Sequence, residues 1–215
     1  MDKRPYTFRE ELANSITHGL GSVLSIVAIT LLAVFSAFRG NVWHVVSCTI
    51  YGATLVLLYT ASALYHGIPS PRAKRILKVV DHASIFLLIA GSYTPFLLVT
   101  LHGPLGWTYF GMVWGIAAGG IILKLFWTGR SPLLSTLLYL AMGWIVVFAF
   151  KPLIHNLAMG GLVLLVAGGL FYSLGTVFYL WKRLPFGHAV WHGFVLAGSG
   201  CHFFSVLLYV IPPGA

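Results

Sequence analysis

Seven long apolar runs occupy nearly the whole of this 215-residue chain, and they constrain its fold more than any other feature. A membrane-spanning helix needs about 20 largely apolar residues. The runs reach that length at approximately residues 16–38, 42–66, 76–101, 105–127, 132–150, 157–181 and 188–211. Only 8% of the residues are charged, whereas a soluble domain carries charge at about 25% of its positions. The sequence therefore predicts an all-α integral membrane protein, built as a bundle of seven transmembrane helices.

The connections between the runs are too short to hold a separate soluble domain. We expect residues 16–215 to form one seven-helix transmembrane domain, preceded by a cytoplasmic N-terminal segment, residues 1–15. Thr7 and Glu10 have the spacing of a capping box. This spacing predicts a short amphipathic helix in the segment, lying on the inner leaflet of the membrane.

Lysine and arginine are divided unevenly between the two sides of the predicted bundle. Successive loops alternate sides, so two basic residues, Arg39 and Lys151, fall on one side and eleven on the other. The eleven are Lys3, Arg4, Arg9, Arg72, Lys74, Arg75, Lys78, Lys124, Arg130, Lys182 and Arg183. Basic loops stay in the cytoplasm, which predicts a cytoplasmic N-terminus and an external C-terminus. Membrane orientation thus accounts for the formal net charge of +9, and we expect no nucleic-acid partner.

Histidines at helical spacing stand at the ends of two runs. His188 and His192 open the last run and lie on one face of a helix, because positions i and i+4 share a face. Ser62 and His66 repeat this spacing at the end of the second run, and Asp81 lies near the start of the third. The predicted topology brings these three helix ends to one depth, just under the cytoplasmic interface. We therefore expect the side chains to converge.

Three neutral imidazoles with an open fourth position are the pattern of a catalytic zinc site. We expect zinc to be bound by His66, His188 and His192, and a bound zinc ion lowers the pKa of a water ligand to near neutrality. Asp81 is the expected base or orienting group for that water, and Ser62 is expected to hold the water or a developing oxyanion. The predicted reaction is hydrolysis of an amide or ester. A lipid is the expected substrate because the site opens into the bilayer.

Taken singly, these residues have simpler interpretations. A lone histidine at a helix end is more often an interfacial residue than a ligand, and Asp81 can begin a helix and pair with Lys78 or Arg75. His82 points roughly 100° away from Asp81 on a helix and is not expected to share its partner. His202 lies roughly 15 Å deeper than the histidine pair, which suits a packing or pathway residue.

Two further motifs concern helix packing. Gly111, Gly115 and Gly119 recur at every fourth position, which predicts close contact with a neighbouring helix. Pro95 lies inside the third run, where a proline removes a backbone hydrogen bond and kinks a helix.

Together the motifs resemble the progestin and adiponectin receptor (PAQR) superfamily, and within it they are most similar to the bacterial hemolysin III branch, also described as membrane-homeostasis proteins. The resemblance covers approximately residues 11–209. It is carried by Glu11-x-x-Asn14-x-x-Thr17-His18-x-x-Gly21, Ser62-x-x-x-His66, Asp81, Gly91-Ser92 with Pro95, and His188-x-x-x-His192 with His202.

The resemblance implies seven helices with the N-terminus inside and a multi-pass position in the bacterial inner (cytoplasmic) membrane. It also implies a zinc ion bound by His66, His188 and His192, with Asp81 and Ser62 around its water. The site layout of the superfamily is similar to that of alkaline ceramidases, which implies hydrolysis of a lipid amide. The secondary site candidates are Glu11, Asn14, His18 and His202.

Two functions remain open on the sequence. The first is a zinc-dependent hydrolase of a lipid amide or ester with a role in membrane lipid homeostasis. The second is a non-catalytic homeostasis sensor or cytolytic protein whose zinc is structural. A haem protein is disfavoured because His188 and His192 share one helix face, and two haem-binding histidines must approach from opposite sides. An ion-coupled transporter is disfavoured because the last four runs contain no acidic residue.

Overall fold

A computed structural model describes residues 6–213. Every regular element within that range is a helix. The α-helices are α1 (Phe8–Arg39), α2 (Val42–Gly67), α3 (Pro71–Pro95), α4 (Gly103–Trp127), α5 (Pro132–Gly143), α6 (Phe150–Asn156), α7 (Met159–Leu180) and α8 (Gly187–Ser205). Three short segments extend them: a π-helical stretch at Phe96–Leu101, a 3₁₀ stretch at Trp144–Ala149 and a π-helical stretch at Val206–Val210.

The helices form seven segments long and apolar enough to cross a membrane, which confirms the predicted number of spans. The third span is α3 with its π-helical extension, and the fifth combines α5, the 3₁₀ stretch and α6. The seventh is α8 with its own π-helical extension. In the described part of the chain, consecutive spans pack side by side and α8 packs against α1, so that the last helix returns to the first.

The first helix begins earlier than predicted, and within the described residues it is continuous with the segment expected to form a short amphipathic helix. The capping box predicted at Thr7 and Glu10 is present, but the helix it starts runs unbroken from Phe8 to Arg39. The predicted short helix is therefore the first two turns of α1. The described residues 6–15 thus continue into the bundle, and residues 1–5 of the predicted N-terminal segment lie outside the described range.

The faces of α1 explain this continuity. Phe8, Leu12 and Ile16 follow one another at every fourth position and are all exposed, with Phe8 81% exposed. Polar Asn14 and His18 lie on the opposite face and are buried. In lipid the apolar face points outward and polar groups must be satisfied inside the protein. The same apolar and polar stripes continue along the helix, so the first turns belong to the span.

Pro95 ends the α-helical part of the third span, and the chain continues at once as the π-helical stretch Phe96–Leu101. The predicted disruption thus takes the form of a change in helix type. A comparable change in the fifth span is stabilised by Tyr93. Its hydroxyl lies 2.5 Å from the carbonyl oxygen of Gly143, and it accepts a hydrogen bond of 2.9 Å from the backbone N–H of Val146. These bonds satisfy backbone groups where α5 ends, so the span continues to Asn156 rather than ending near Phe150.

One packing prediction is wrong, and one basic residue is unexpectedly buried. Gly111, Gly115 and Gly119 make no close helix contact, because a Cβ added at any of them would meet nothing within 4 Å. Lys124, counted among the basic residues of the cytoplasmic side, lies in the last turn of α4 as its place in the fourth run implies, but it is only 2% exposed. Its ammonium group donates a hydrogen bond to the hydroxyl of Ser135 and lies 5.4 Å from the ring centroid of Tyr139. The C-terminal end of the helix also favours a positive charge.

Candidate metal centre

Three histidines from two helices meet at one point of the bundle. His66 lies in the last turn of α2, while His188 and His192 lie one turn apart at the start of α8. Each offers a ring nitrogen, and these atoms all lie within 4.8 Å of one another. The convergence predicted from the sequence is therefore present. One cation can contact all three rings, and the end of α2 favours positive charge because its last carbonyl groups lack helical partners.

Two histidines of the cluster are buried, His188 is half-buried, and all three have ring nitrogens without hydrogen-bond partners. His66 is 3% exposed and His192 is 0% exposed. Within the described chain, the Nε2 atoms of both residues and both ring nitrogens of His188 are buried and unpaired. A buried polar atom left unsatisfied costs about 1–3 kcal/mol. A metal ion removes this cost by binding the nitrogen lone pairs, and imidazole is a common zinc ligand. The residues present thus fit a bound divalent cation.

Asp81 and Ser62 lie beside the histidines without joining the three-histidine group. Ser62 is one turn before His66 on α2 and is 1% exposed. Its hydroxyl faces the carboxylate of Asp81 on α3, which is 8% exposed. Asp81 also lines a small cavity together with His188. A carboxylate in this place can accept a proton from a molecule held next to the cluster.

His82 differs from its prediction. Its Nδ1 lies 3.5 Å from the Asp81 carboxylate, and it lines the same small cavity. The His82 ring turns back toward the start of α3, because its Nδ1 donates a hydrogen bond of 2.8 Å to the carbonyl oxygen of Lys78. This rotamer puts the edge of the ring beside Asp81. The angular separation of neighbouring residues on a helix does not predict this rotamer.

The secondary candidates fall into two groups. Glu11, Asn14 and His18, all on α1, touch the histidine cluster: Glu11 and Asn14 through hydrogen bonds and His18 through a ring stacked on His192. His202 lies away from the cluster. Its Nε2 donates to the carbonyl oxygen of Leu165 at 3.1 Å, in keeping with a packing role.

Sequence patterns missed the tyrosines around the cluster. The Tyr6 ring centroid lies 5.2 Å from that of His188 and 6.0 Å from that of His66. Tyr65 packs against His66, and Tyr179 packs against His188. Burial raises the pKa of Tyr6 well above its usual value, so its hydroxyl stays protonated at neutral pH. No motif singles out Tyr6, because it precedes the first apolar run. Tyr65, next to His66, carries a weak signal.

A large apolar cavity extends from the site into the bundle. Its volume is about 450 Å³, within the roughly 300–1,000 Å³ of small-molecule sites. Asp81 and His18 line it at the site. Trp191, Val195 and His202 also line it, and they span roughly 16 Å of the α8 axis at 1.5 Å per residue. The cavity therefore runs along the helix from the polar cluster toward the membrane interior.

Comparison with known proteins accords with this geometry. Residues 6–203 match the family described as Haemolysin-III related. The chain belongs to this family. The family resemblance inferred from the motifs is thus confirmed, and the matched range includes the three histidines, Asp81, Ser62 and His202.

Individual haemolysin III-related proteins match nearly the full chain. It is 50% identical to Hemolysin-3 of Bacillus cereus, with 95% of this chain and 93% of the relative covered. It is also 50% identical to a hemolysin-3 homolog of Bacillus subtilis, with 96% and 97% covered. A human protein named monocyte to macrophage differentiation factor is 31% identical, with 95% and 86% covered. The chain is accordingly a multi-pass membrane protein of the haemolysin III type.

Proposed function

We propose that this protein is a zinc-dependent hydrolase that cleaves an amide or ester bond of a membrane lipid in the bacterial cytoplasmic membrane. One observation carries the proposal: three histidines, two of them buried and one half-buried, present buried, unpaired ring nitrogens close to Asp81, which also lines an apolar cavity. A structural zinc site is normally closed by four protein ligands. A three-histidine site leaves a coordination position for water or substrate.

The proposed roles follow from the contacts of each side chain. His66, His188 and His192 bind the metal. Zinc supplies Lewis acidity and makes water a better acid at neutral pH. Asp81 accepts a proton from the attacking water and returns it to the leaving group, as general base and then general acid. Ser62, whose hydroxyl faces Asp81, holds the water or the developing oxyanion.

A lipid substrate is proposed because the cavity is apolar and elongated. Asp81 lines the cavity near the histidine cluster, and Trp191, Val195 and His202 line it farther along α8. A hydrocarbon chain bound there removes apolar surface from water, at about 25 cal/mol per Å². The polar bond of the lipid then lies beside Asp81, where hydrolysis is proposed to occur.

The proposed orientation has the N-terminus in the cytoplasm and the C-terminus outside. Arg39 lies at the end of α1 far from the histidines, over the ring of Phe35 at 4.5 Å, and represents the side with few basic residues. Lys74 lies near the start of α3, close to the histidine cluster, and represents the side with many. The excess of basic residues on the histidine side supports a cytoplasmic position for the site.

The first test is lipid hydrolysis by purified, zinc-loaded protein and its Asp81→Asn variant. Products from N-acyl amide lipids and glycerol ester lipids are measured by mass spectrometry, and bound zinc is measured in parallel. Wild-type protein is expected to release a fatty acid. The variant keeps its metal and loses turnover by about 10²–10⁴-fold, the usual contribution of a general base. Absence of fatty acid release by metal-loaded wild-type protein would count against the hydrolase.

The name Hemolysin-3, carried by the Bacillus cereus relative, favours a second candidate: a cytolytic protein whose zinc is structural. The Asp81→Asn variant separates the two functions. A cytolytic protein keeps the same lysis of erythrocytes or lipid vesicles after this substitution, because the change leaves the metal ligands in place. A hydrolase whose products cause the lysis loses it.

A further inference from the structure

We propose that the start of α1 selects which ring nitrogen two of the histidines present to the metal, and that Glu11 is the positioning residue for His66. This inference rests on the metal binding proposed above. Glu11 does not need to touch the metal itself, because its carboxylate acts on the far side of the His66 ring.

The contact between Glu11 and His66 fixes the position of one proton. The carboxylate oxygen Oε2 lies 2.5 Å from Nδ1 of His66. The amide nitrogen of Asn14 also lies near this Nδ1, but at 3.5 Å it is a full 1 Å farther away than the carboxylate oxygen. An ionised carboxylate only accepts hydrogen bonds, so the shorter contact places the hydrogen on Nδ1. The lone pair of a neutral ring then resides on Nε2, which is the buried atom without a partner. Glu11 therefore leaves Nε2 as the atom that His66 can offer to a metal.

Lys74 holds the other oxygen of the same carboxylate. Its ammonium group lies 2.5 Å from Oε1 of Glu11, and the side chains of Lys74 and Glu11 are 27% and 23% exposed. The His66 side chain itself is fully buried. The carboxylate thus lies between a buried ring and a half-exposed cation that balances its charge. Lys74 lies two turns before Asp81 on α3, so this pair also ties α1 to the helix that carries the proposed base.

The backbone of α1 makes the equivalent contact to His192. Nδ1 of His192 lies 3.3 Å from the carbonyl oxygen of Asn14. A carbonyl oxygen also only accepts, so this ring again carries its hydrogen on Nδ1 and leaves Nε2 unpaired. Glu11 and Asn14 are three residues apart and share one face of α1. One helix face therefore imposes the same tautomer on a ligand from α2 and a ligand from α8.

His18 completes this face by holding the plane of the His192 ring. The two rings stack with centroids 3.4 Å apart and an interplanar angle of 13°. The His18 ring also packs edge-on against Tyr59, with centroids 5.0 Å apart. Rotation of His192 away from the cluster is blocked on that side. Glu11, Asn14 and His18 are thus assigned one shared task, which the motif spacing alone does not reveal.

Partners that orient a metal-binding histidine typically contribute 10–100-fold to metal affinity or activity. The test is therefore zinc affinity, measured by competition with a chelator on purified protein in detergent, for Glu11→Ala and Glu11→Gln. We expect the dissociation constant to rise about 10–100-fold for Glu11→Ala. A smaller rise is expected for Glu11→Gln, because the amide oxygen still accepts a hydrogen bond from Nδ1.

The matched control is Glu10→Gln. Glu10 is the neighbouring acid on α1, and it accepts from the backbone N–H groups of Thr7 and Phe186 rather than from a histidine ring. The control removes the same charge at the same depth and keeps an acceptor oxygen. Its zinc affinity should equal that of wild type. A zinc affinity lowered equally by Glu10→Gln and Glu11→Gln would overturn the proposal, since the charge alone would then explain the effect.

Melting temperatures distinguish positioning from a structural role. Each protein is melted with and without zinc. Glu11→Gln loses the ion pair with Lys74, so its melting temperature without metal can fall below that of wild type. Positioning predicts in addition a smaller upward shift than in wild type when zinc is added, because stabilisation by a ligand follows its affinity. Equal loss of stability with and without zinc, together with wild-type zinc affinity, would refute it. If the Glu11 variants bind zinc as tightly as wild type, the positioning role of Glu11 is refuted and the proposed hydrolase is not. If wild-type protein binds zinc but cleaves no lipid, the hydrolase is refuted and the positioning role is not.

Discussion

The second, third and seventh spans differ from the fourth, fifth and sixth in how deeply they are buried. In the most apolar stretch of each span, 56%, 61% and 39% of the residues are buried in the first group, against 22% in each span of the second group. The first group carries all three histidines of the cluster together with Asp81 and Ser62. The residues proposed to do the chemistry therefore lie on the three most enclosed spans.

The difference has a physical cause. A polar side chain in the bilayer needs partners inside the protein, so polar residues collect where neighbouring helices surround them on several sides. Spans four to six have large exposed apolar side chains, such as Phe126, Phe148 and Phe171, which suit contact with lipid. The fifth and sixth also line the large cavity, through residues such as Val147 and Val166. The enclosed spans are thus expected to supply the reacting groups, and the others the surface that meets a lipid chain.

The largest expected effect is that of removing one histidine from the enclosed group. His192→Ala deletes a proposed metal ligand. Loss of a residue that only orients a ligand lowers metal affinity about 10–100-fold, and we expect a larger fall in zinc affinity here. Lipid hydrolysis should fall below detection. His202→Ala, in the same helix but away from the cluster, is the control and should bind zinc as wild type does. Bound zinc is measured by elemental analysis after dialysis against a chelator, and full zinc occupancy of the His192→Ala protein would contradict the assignment.

A smaller effect is expected from filling the cavity on the sixth span. Gly169 lines the cavity, and a Cβ added there meets nothing within 4 Å. Gly169→Leu should therefore fold, keep its zinc affinity and lower kcat/KM for a long-chain lipid by about 10-fold or more, since the chain loses the space that the leucine takes.

The control for the cavity test is Gly111→Leu. A Cβ at Gly111 also meets nothing within 4 Å, but this residue does not line the cavity. Activity measured on lipids of increasing chain length should decline most steeply with length in the Gly169 variant. Equal losses in both variants would mean that the cavity does not hold the lipid chain.

The sequence predicted the seven spans and the meeting of His66, His188 and His192, because span number and loop alternation determine which helix ends lie together. It did not predict which glycines pack. Around Gly111 all faces of α4 are apolar, and lipid is as apolar as a neighbouring leucine side chain. Hydropathy therefore cannot distinguish a lipid-facing stripe from a helix contact.

Contacts made by individual rotamers were also beyond the sequence. Lys124 was counted only as a cation of the cytoplasmic side, whereas its side chain is buried and donates to the hydroxyl of Ser135 on α5. Glu11 was a secondary site candidate through the family resemblance, but the bridge that its side chain makes between His66 and Lys74 was not predicted. Both cases depend on where a long polar side chain finds a partner from another helix, and residue spacing along one helix carries no information about that.

The smallest expected effect compares one glycine from each group of spans. Gly52 lies on the enclosed second span, where an added Cβ would come within 2.6 Å of the side chain of Ile29. Gly115 lies on the fourth span and has open space. Gly52→Ala should lower the free energy of unfolding by about 1–3 kcal/mol through overpacking between α1 and α2. Gly115→Ala should leave it unchanged or raise it by up to about 1 kcal/mol, because alanine favours a helix more than glycine does. Thermal melts of the two variants in the same detergent measure the difference. A Gly115 variant that melts as low as the Gly52 variant would contradict the comparison, since it would mean that another protein surface packs on the glycine stripe of the fourth span.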